Sequence, residues 1–162
     1  MSERLYAIFF VAVFALCLCA CAPHVGGLKF EAPDGWNGDE DSRENFAMYS
    51  PPADDGSIML SFNNTVESDL SDDNIAKMRE ELIETAAGRG KAEITEEGKV
   101  DAGGHLWLKI SFYYPESGAH WFYYMTRFDR KQYFILLVCR DSAYETYRPV
   151  LEKVVNSVKF AD

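Results

Sequence analysis

Apolar and polar residues follow two different arrangements along this chain. Leu5 to Ala22 is a nearly unbroken apolar run, whereas from Leu28 onward apolar positions recur with the short periods of strands and helices. Leu28-Lys29-Phe30-Glu31-Ala32 alternates and stops at Pro33, which predicts a first strand. Asp34 to Asp41 reads as a polar loop holding Trp36. Asn45 to Ser50 and Ser57 to Asn63 read as two strands about the turn that begins Pro51-Pro52, with Ile58, Leu60 and Phe62 pointing one way. Ser71 to Ala87 predicts a helix. Ser71 suits an N-cap, Asp72 and Asp73 suit the positive end of the helix dipole, and Gly88 suits the stop. Ile75, Met78, Leu82 and Ala86 form its apolar stripe, where a methionine is core filler.

The second half is richer in strands. Lys91 to Val100 reads as a polar edge strand, and Gly103-Gly104 as a turn. Three long strands follow, His105 to Tyr114, Ala119 to Asp129 and Gln132 to Arg140, with the last two joined at Arg130-Lys131. Leu106, Leu108, Ile110 and Phe112 fall on one face, Trp107 and Tyr113 on the other. A sheet apolar on both faces needs cover on both. Part of that cover is a closing helix. Ser142-Ala143-Tyr144-Glu145 has the capping-box pattern, and Val150, Leu151, Val154, Val155 and Val158 make one stripe. Pro149 predicts a kink, or a short turn before a main helix from Arg148. The pattern is that of a single α+β domain.

Composition adds little to the fold but limits the partners. With 48 % hydrophobic and 14 % aromatic residues in 162, the chain has enough apolar material for one real core. A net charge of −10 argues against nucleic acid and against adsorption to anionic lipid. No phosphate loop, HExxH or GxSxG motif is present.

The apolar run follows the short head Met1-Ser2-Glu3-Arg4, the layout of an export signal. A retained anchor is the alternative, since roughly 18–20 apolar residues just span a bilayer. The run ends in Leu18-Cys19-Ala20-Cys21, which resembles the lipobox of bacterial lipoproteins. That resemblance implies cleavage after residue 20 and a lipid on Cys21. Residues 1–20 are then signal peptide, 21–27 the lipidated cysteine and a Pro- and Gly-containing tether, and 28–162 the globular domain. Ala22, where an Asp would hold such a protein at the inner membrane, implies the outer membrane by the same resemblance. A metal reading of Cys17, Cys19 and Cys21 lacks nearby His or carboxylate.

The order of elements resembles the PsbP/DcrB-like family. The carrying residues are Phe30-Glu31-Ala32-Pro33-Asp34-Gly35-Trp36, the strand and helix from Ser57 to Ala87, and Tyr147-Arg148-Pro149 through Val155-Asn156-Ser157-Val158-Lys159-Phe160. The resemblance implies an antiparallel sheet between helices, an α/β/α sandwich. It also implies a non-catalytic role, since family members include photosystem accessory proteins, a Ran-binding factor and envelope lipoproteins. It brings no cofactor. On the exported, periplasmic side of the envelope, the partner it suggests is a protein.

Several residues are candidates for chemistry. Trp107, Tyr113, Tyr114, Trp121, Tyr123 and Tyr124, with Phe122 among them, crowd two neighbouring strands. Such a surplus predicts a binding face, for a protein partner or, as the alternative, for a small ligand, although core packing takes many aromatics. Asn37, Asp39 and Asp41 alternate like the start of a calcium loop, but Ser42 and Met48 stand where that loop needs Gly and Glu. If Asp129 pairs with Gln132, His120 faces Asp141 and lies diagonal to Cys139, about 7 Å away; together the three could activate a thiolate for hydrolysis, although that distance is long for a hydrogen bond. His105 and His120 read as surface residues at strand ends, Cys139 as inert packing. Arg127, Arg130 and Lys131 read as a basic hairpin tip or as partners for the acidic loop.

Overall fold

A computed structural model describes residues 23–39, 45–65, 70 and 72–160. The apolar N-terminal run, Cys21, Asp41 and Ser71 lie outside these residues. The frame is one antiparallel sheet of seven strands. In chain order these are β3 (Asn37–Asp39), β4 (Phe46–Ser50), β5 (Gly56–Asn64), β6 (Glu93–Ala102), β7 (His105–Tyr114), β8 (Ala119–Phe128) and β9 (Lys131–Arg140). They are ordered β3-β4-β5-β9-β8-β7-β6. A second sheet of three short strands joins the two ends of the domain: β1 (His24–Val25), β2 (Leu28–Lys29) and β10 (Lys159–Phe160).

Among the described residues two helices cover the large sheet, one per face, so the fold is the expected α+β sandwich. α1 (Asp72–Ala87) lays Ile75, Met78, Leu82 and Ala86 on Leu108, Ile110, Phe112, Tyr114, Tyr123 and Met125. α2 (Asp141–Ser157) lays Ala143, Tyr144, Leu151, Val154 and Val155 on the other face, against Phe122, Tyr124, Ile135 and Leu137. Val25 and Leu28 of the small sheet complete that layer. Each fully buried Leu or Val here contributes about 1.5–3 kcal/mol relative to an exposed one.

Several expectations need correction. The first strand covers only Leu28–Lys29, with the buried Phe30 adding one further bond, from its amide to the Pro23 carbonyl, before the chain leaves the sheet. Residues 24–27, read as tether, form a hairpin. Gly26 has φ +58°, and a Cβ there would stand 2.2 Å from the Phe62 ring, so a residue that looks like linker is required for a close approach. Asn37–Asp39, read as loop, pairs with β4 along one sheet edge. α2 is one helix running through Pro149, which sits exposed on its outer side. It starts at Asp141 after Arg140, and no side-chain capping bond forms at its start. The β8–β9 turn is Asp129-Arg130, one residue earlier than expected, with φ of 47° and 56°. Two left-handed residues match the twist of a two-residue hairpin.

Candidate functional site

The shifted turn resets the whole β8–β9 register. His120 stands directly opposite Cys139, and Phe122 opposite Leu137. His120 is buried, not a surface residue; its ring stacks on Tyr144 at 4.1 Å and lies 4.8 Å from Tyr113. Its Nε2 is 2.7 Å from Asp141 Oδ1, an acceptor that places the ring proton there. Nδ1 is buried and makes no hydrogen bond, so none links it to the thiol. Burial, with the Asp55 and Asp141 carboxylates nearby, pushes the Cys139 thiol up to about 12. A nucleophilic cysteine needs the opposite, a pKa lowered by a base or a cation. Cysteine, histidine and aspartate meet as the sequence hints, but as a packed corner.

The six aromatic candidates do not share a face. Trp107, Tyr113 and Tyr124 point toward α2; Tyr114, Trp121 and Tyr123 point toward α1. Trp107 is fully buried and its indole donates to the Ala102 carbonyl at 3.0 Å. Tyr114, Tyr123 and Tyr124 are buried too, and desolvation pushes the Tyr123 phenol up to about 12. Tyr113 and Trp121 stay half-buried, the latter under the Arg89 guanidinium at 4.6 Å. The alternation of β8 was the available signal. Trp121 and Tyr123 must face away from Phe122 and Tyr124.

The α1 face is the part that stays open. α1 forms one cluster with β7 and β8, with Phe134 and Leu136 of β9 packed at its margin, and among the described residues no residue of β4 or β5 belongs to that cluster. On this face Met48, Met59 and Leu136 align across three strands, flanked by Phe46, Phe134 and Val138, all of them half-buried. Sequence reasoning missed this row, because it needs the strand order. The signal at hand was the apolar Phe46, Met48 and Met59 on positions alternating with the core residues Ala47, Tyr49 and Ile58.

The remaining candidates are structural or unformed. Asn37 and Asp39 are exposed on β3, and among the described residues no cluster of three His, Cys, Asp or Glu could hold a metal. Arg127 is buried and donates to Gln132 at 2.8 Å; Lys131 donates to the Gly26 carbonyl at 2.9 Å. His105 sits between the rings of Phe128 and Phe160, at 4.5 and 4.3 Å. Two segments that carry the family resemblance meet in space. Trp36 packs edge-on to Tyr147 at 5.0 Å, Lys153 pairs with Asp34 at 2.6 Å, and the Glu31 amide donates to Ser157 Oγ at 2.8 Å. Between them runs a groove of about 210 Å³ lined by Pro33, Pro149 and Val150. It is smaller than the roughly 300–1,000 Å³ of small-molecule sites, while the adjoining groove of about 490 Å³ over Glu31, Glu152, Asn156 and Ser157 is a shallow one open to solvent.

No family model and no curated protein matches the sequence. Solved structures do match the fold. Cyanobacterial PsbP (CyanoP) from Synechocystis sp. PCC 6803 has a TM-score of 0.60 at 15 % identity, over 83 % of this chain and 86 % of its own. The Saccharomyces cerevisiae Ran-binding protein Mog1p has a TM-score of 0.56 at 13 % identity, over 85 % and 92 %. Mycobacterium tuberculosis LpqN, involved in cell envelope biogenesis, has 0.54 at 15 %, over 88 % of each chain. The fold is therefore PsbP/DcrB-like, and at these identities the likeness speaks for the fold alone.

Proposed function

We propose that this chain is a lipid-anchored envelope protein that binds a protein partner without catalysis, through the open part of the α1 face. The observation that carries the reading is the half-buried row of Met48, Met59 and Leu136 beside α1. Unbranched methionines adapt to a partner's shape, and partner surfaces are apolar at their centre. The anchor rests on the lipobox ending at Cys21, which puts the domain on the exported side, at the outer membrane by the residue after the cysteine. A role in envelope biogenesis, the process named for LpqN, is consistent with that placement. Among the described residues no helix is long and apolar enough to cross a membrane.

The test is the intact mass of membrane-extracted protein, wild type and Cys21→Ala, followed by crosslinking from the same extract with Met59→Lys alongside. The reading predicts a lipid-sized mass on a chain beginning at Cys21, absent from Cys21→Ala. It also predicts a crosslinked partner that Met59→Lys loses. A full-length unmodified chain would reject the lipid anchor, and a partner retained by Met59→Lys would reject the surface.

A further inference from the structure

The small sheet has an inner and an outer row. Val25, Leu28 and Phe160 pair across it and face the core, the first two fully buried. His24, Lys29 and Lys159 pair across it one position away and are all exposed. Lys29 and Lys159 are thus directly opposite each other, an arrangement that like charges disfavour. Among the described residues neither has an ion pair, although the chain carries 26 acidic residues against 16 Lys and Arg. Glu31, two residues past Lys29 in the chain, acts on Lys153. The exposed Arg130 lies close by, since its neighbour Lys131 bonds the Gly26 carbonyl. Asp129 shares that turn, and Asp162, two residues past β10 in the sequence, lies outside the described residues.

This basic row stands where the chain enters the domain. The Phe30 amide donates to the Pro23 carbonyl at 3.2 Å, and Tyr133 Oη donates to the Gly26 carbonyl at 2.8 Å. The fold is therefore fixed from Pro23, and only Ala22 separates it from Cys21. Three extended residues reach at most about 10 Å, so a lipid on Cys21 holds His24 within about one Debye length of the headgroups.

We infer that His24, Lys29 and Lys159 form a membrane-facing surface that sits on anionic phospholipid headgroups of the leaflet holding the anchor. The inference rests on the lipid-anchor reading and deepens it by giving the domain an orientation. Net charge misleads here. A chain at −10 presents a basic row at the one place its anchor forces against a membrane. Because the small sheet belongs to the α2 layer, this orientation turns the open α1 face away from the bilayer.

The test uses the lipidated protein in phosphatidylcholine vesicles with and without phosphatidylglycerol. A water-soluble amine reagent is applied, and labelling is read residue by residue by mass spectrometry. Lys29 and Lys159 are expected to label about fivefold more slowly when phosphatidylglycerol is present, with Lys77 and Lys91 unchanged. Added salt is expected to abolish the difference. Equal labelling of Lys29 and Lys159 in both vesicles, on protein whose mass shows the lipid at Cys21, would overturn the orientation alone. Protein without that lipid would overturn the anchor and the orientation together.

Discussion

On β8, Phe122 and Tyr124 point toward α2, while Trp121 and Tyr123 point toward α1. The first pair lies in a layer closed by a helix, a second sheet and a polar rim. In that rim Lys109 and Arg148 share the Glu96 carboxylate at 2.5 and 2.9 Å, and Arg148 also reaches Glu152. The second pair lies at the margin of cover. α1 shields β7 and β8 and reaches the margin of β9, and its outer ion pair joins Arg79 to Glu97 of the edge strand, leaving β4 and β5 to a row of half-buried apolar residues. Two faces made from the same strands thus differ in what is laid on them. Closure marks the face that holds the domain together, and incomplete closure is the feature on which the proposed partner surface rests.

Truncating each face in turn gives the largest expected contrast. Trp107→Ala should cost about 3–5 kcal/mol, while Met59→Ala, already half in water, should cost about 1–2 kcal/mol. Urea denaturation of both variants measures the difference, and equal costs would mean that the α1 face is sealed after all. Gly26→Ala tests what holds the small sheet in the α2 layer. The left-handed backbone and the Phe62 ring together predict a loss of about 1–3 kcal/mol. Gly35→Ala, at φ +75° with nothing within 4 Å, should cost less, because only the backbone term remains.

The sequence was most legible where periodicity decides. The stripe from Ile75 to Ala86, the polar edge strand and the long strands all lie where their patterns put them. It was least legible where a turn chooses between neighbouring registers. Asp129-Arg130 lacks the glycine that usually marks a two-residue hairpin, so the turn is easily misplaced by one residue. That shift placed His120, the second residue of β8, directly opposite Cys139 instead of Asp141. The small sheet was hidden for another reason. Its strands are two residues long and come from both ends of the chain, so no local window contains their pairing. The open apolar row needs the same long-range information.

A smaller contrast lies in titration. The Cys139 thiol on the α2 side and the Tyr123 phenol on the α1 side are both held protonated, each pushed up to about 12 mainly by burial. The unfolded chain releases these protons nearer 9.0 and 10.0, so the stability they contribute is full below pH 9 and drains as pH rises toward 12. Cys139→Ala should show a shallower decline across that window in pH-dependent denaturation, and an unchanged slope would refute the thiol's part. In the same protein, native Cys139 should resist alkylation near neutral pH and react once unfolded. The smallest effect is expected on the outer row. Lys159→Gln relieves a like-charge pair and should raise stability by roughly 0.2–0.5 kcal/mol in low salt, read as a small shift in the denaturation midpoint.

The central claim is that the open face, not the closed one, meets a partner. A photo-crosslinking residue at position 59, beside α1, and another at position 145, on the outer side of α2, would be compared in intact cells. The account predicts a discrete protein adduct from position 59 and none from position 145. Adducts from position 145 alone, or equally from both, would contradict it.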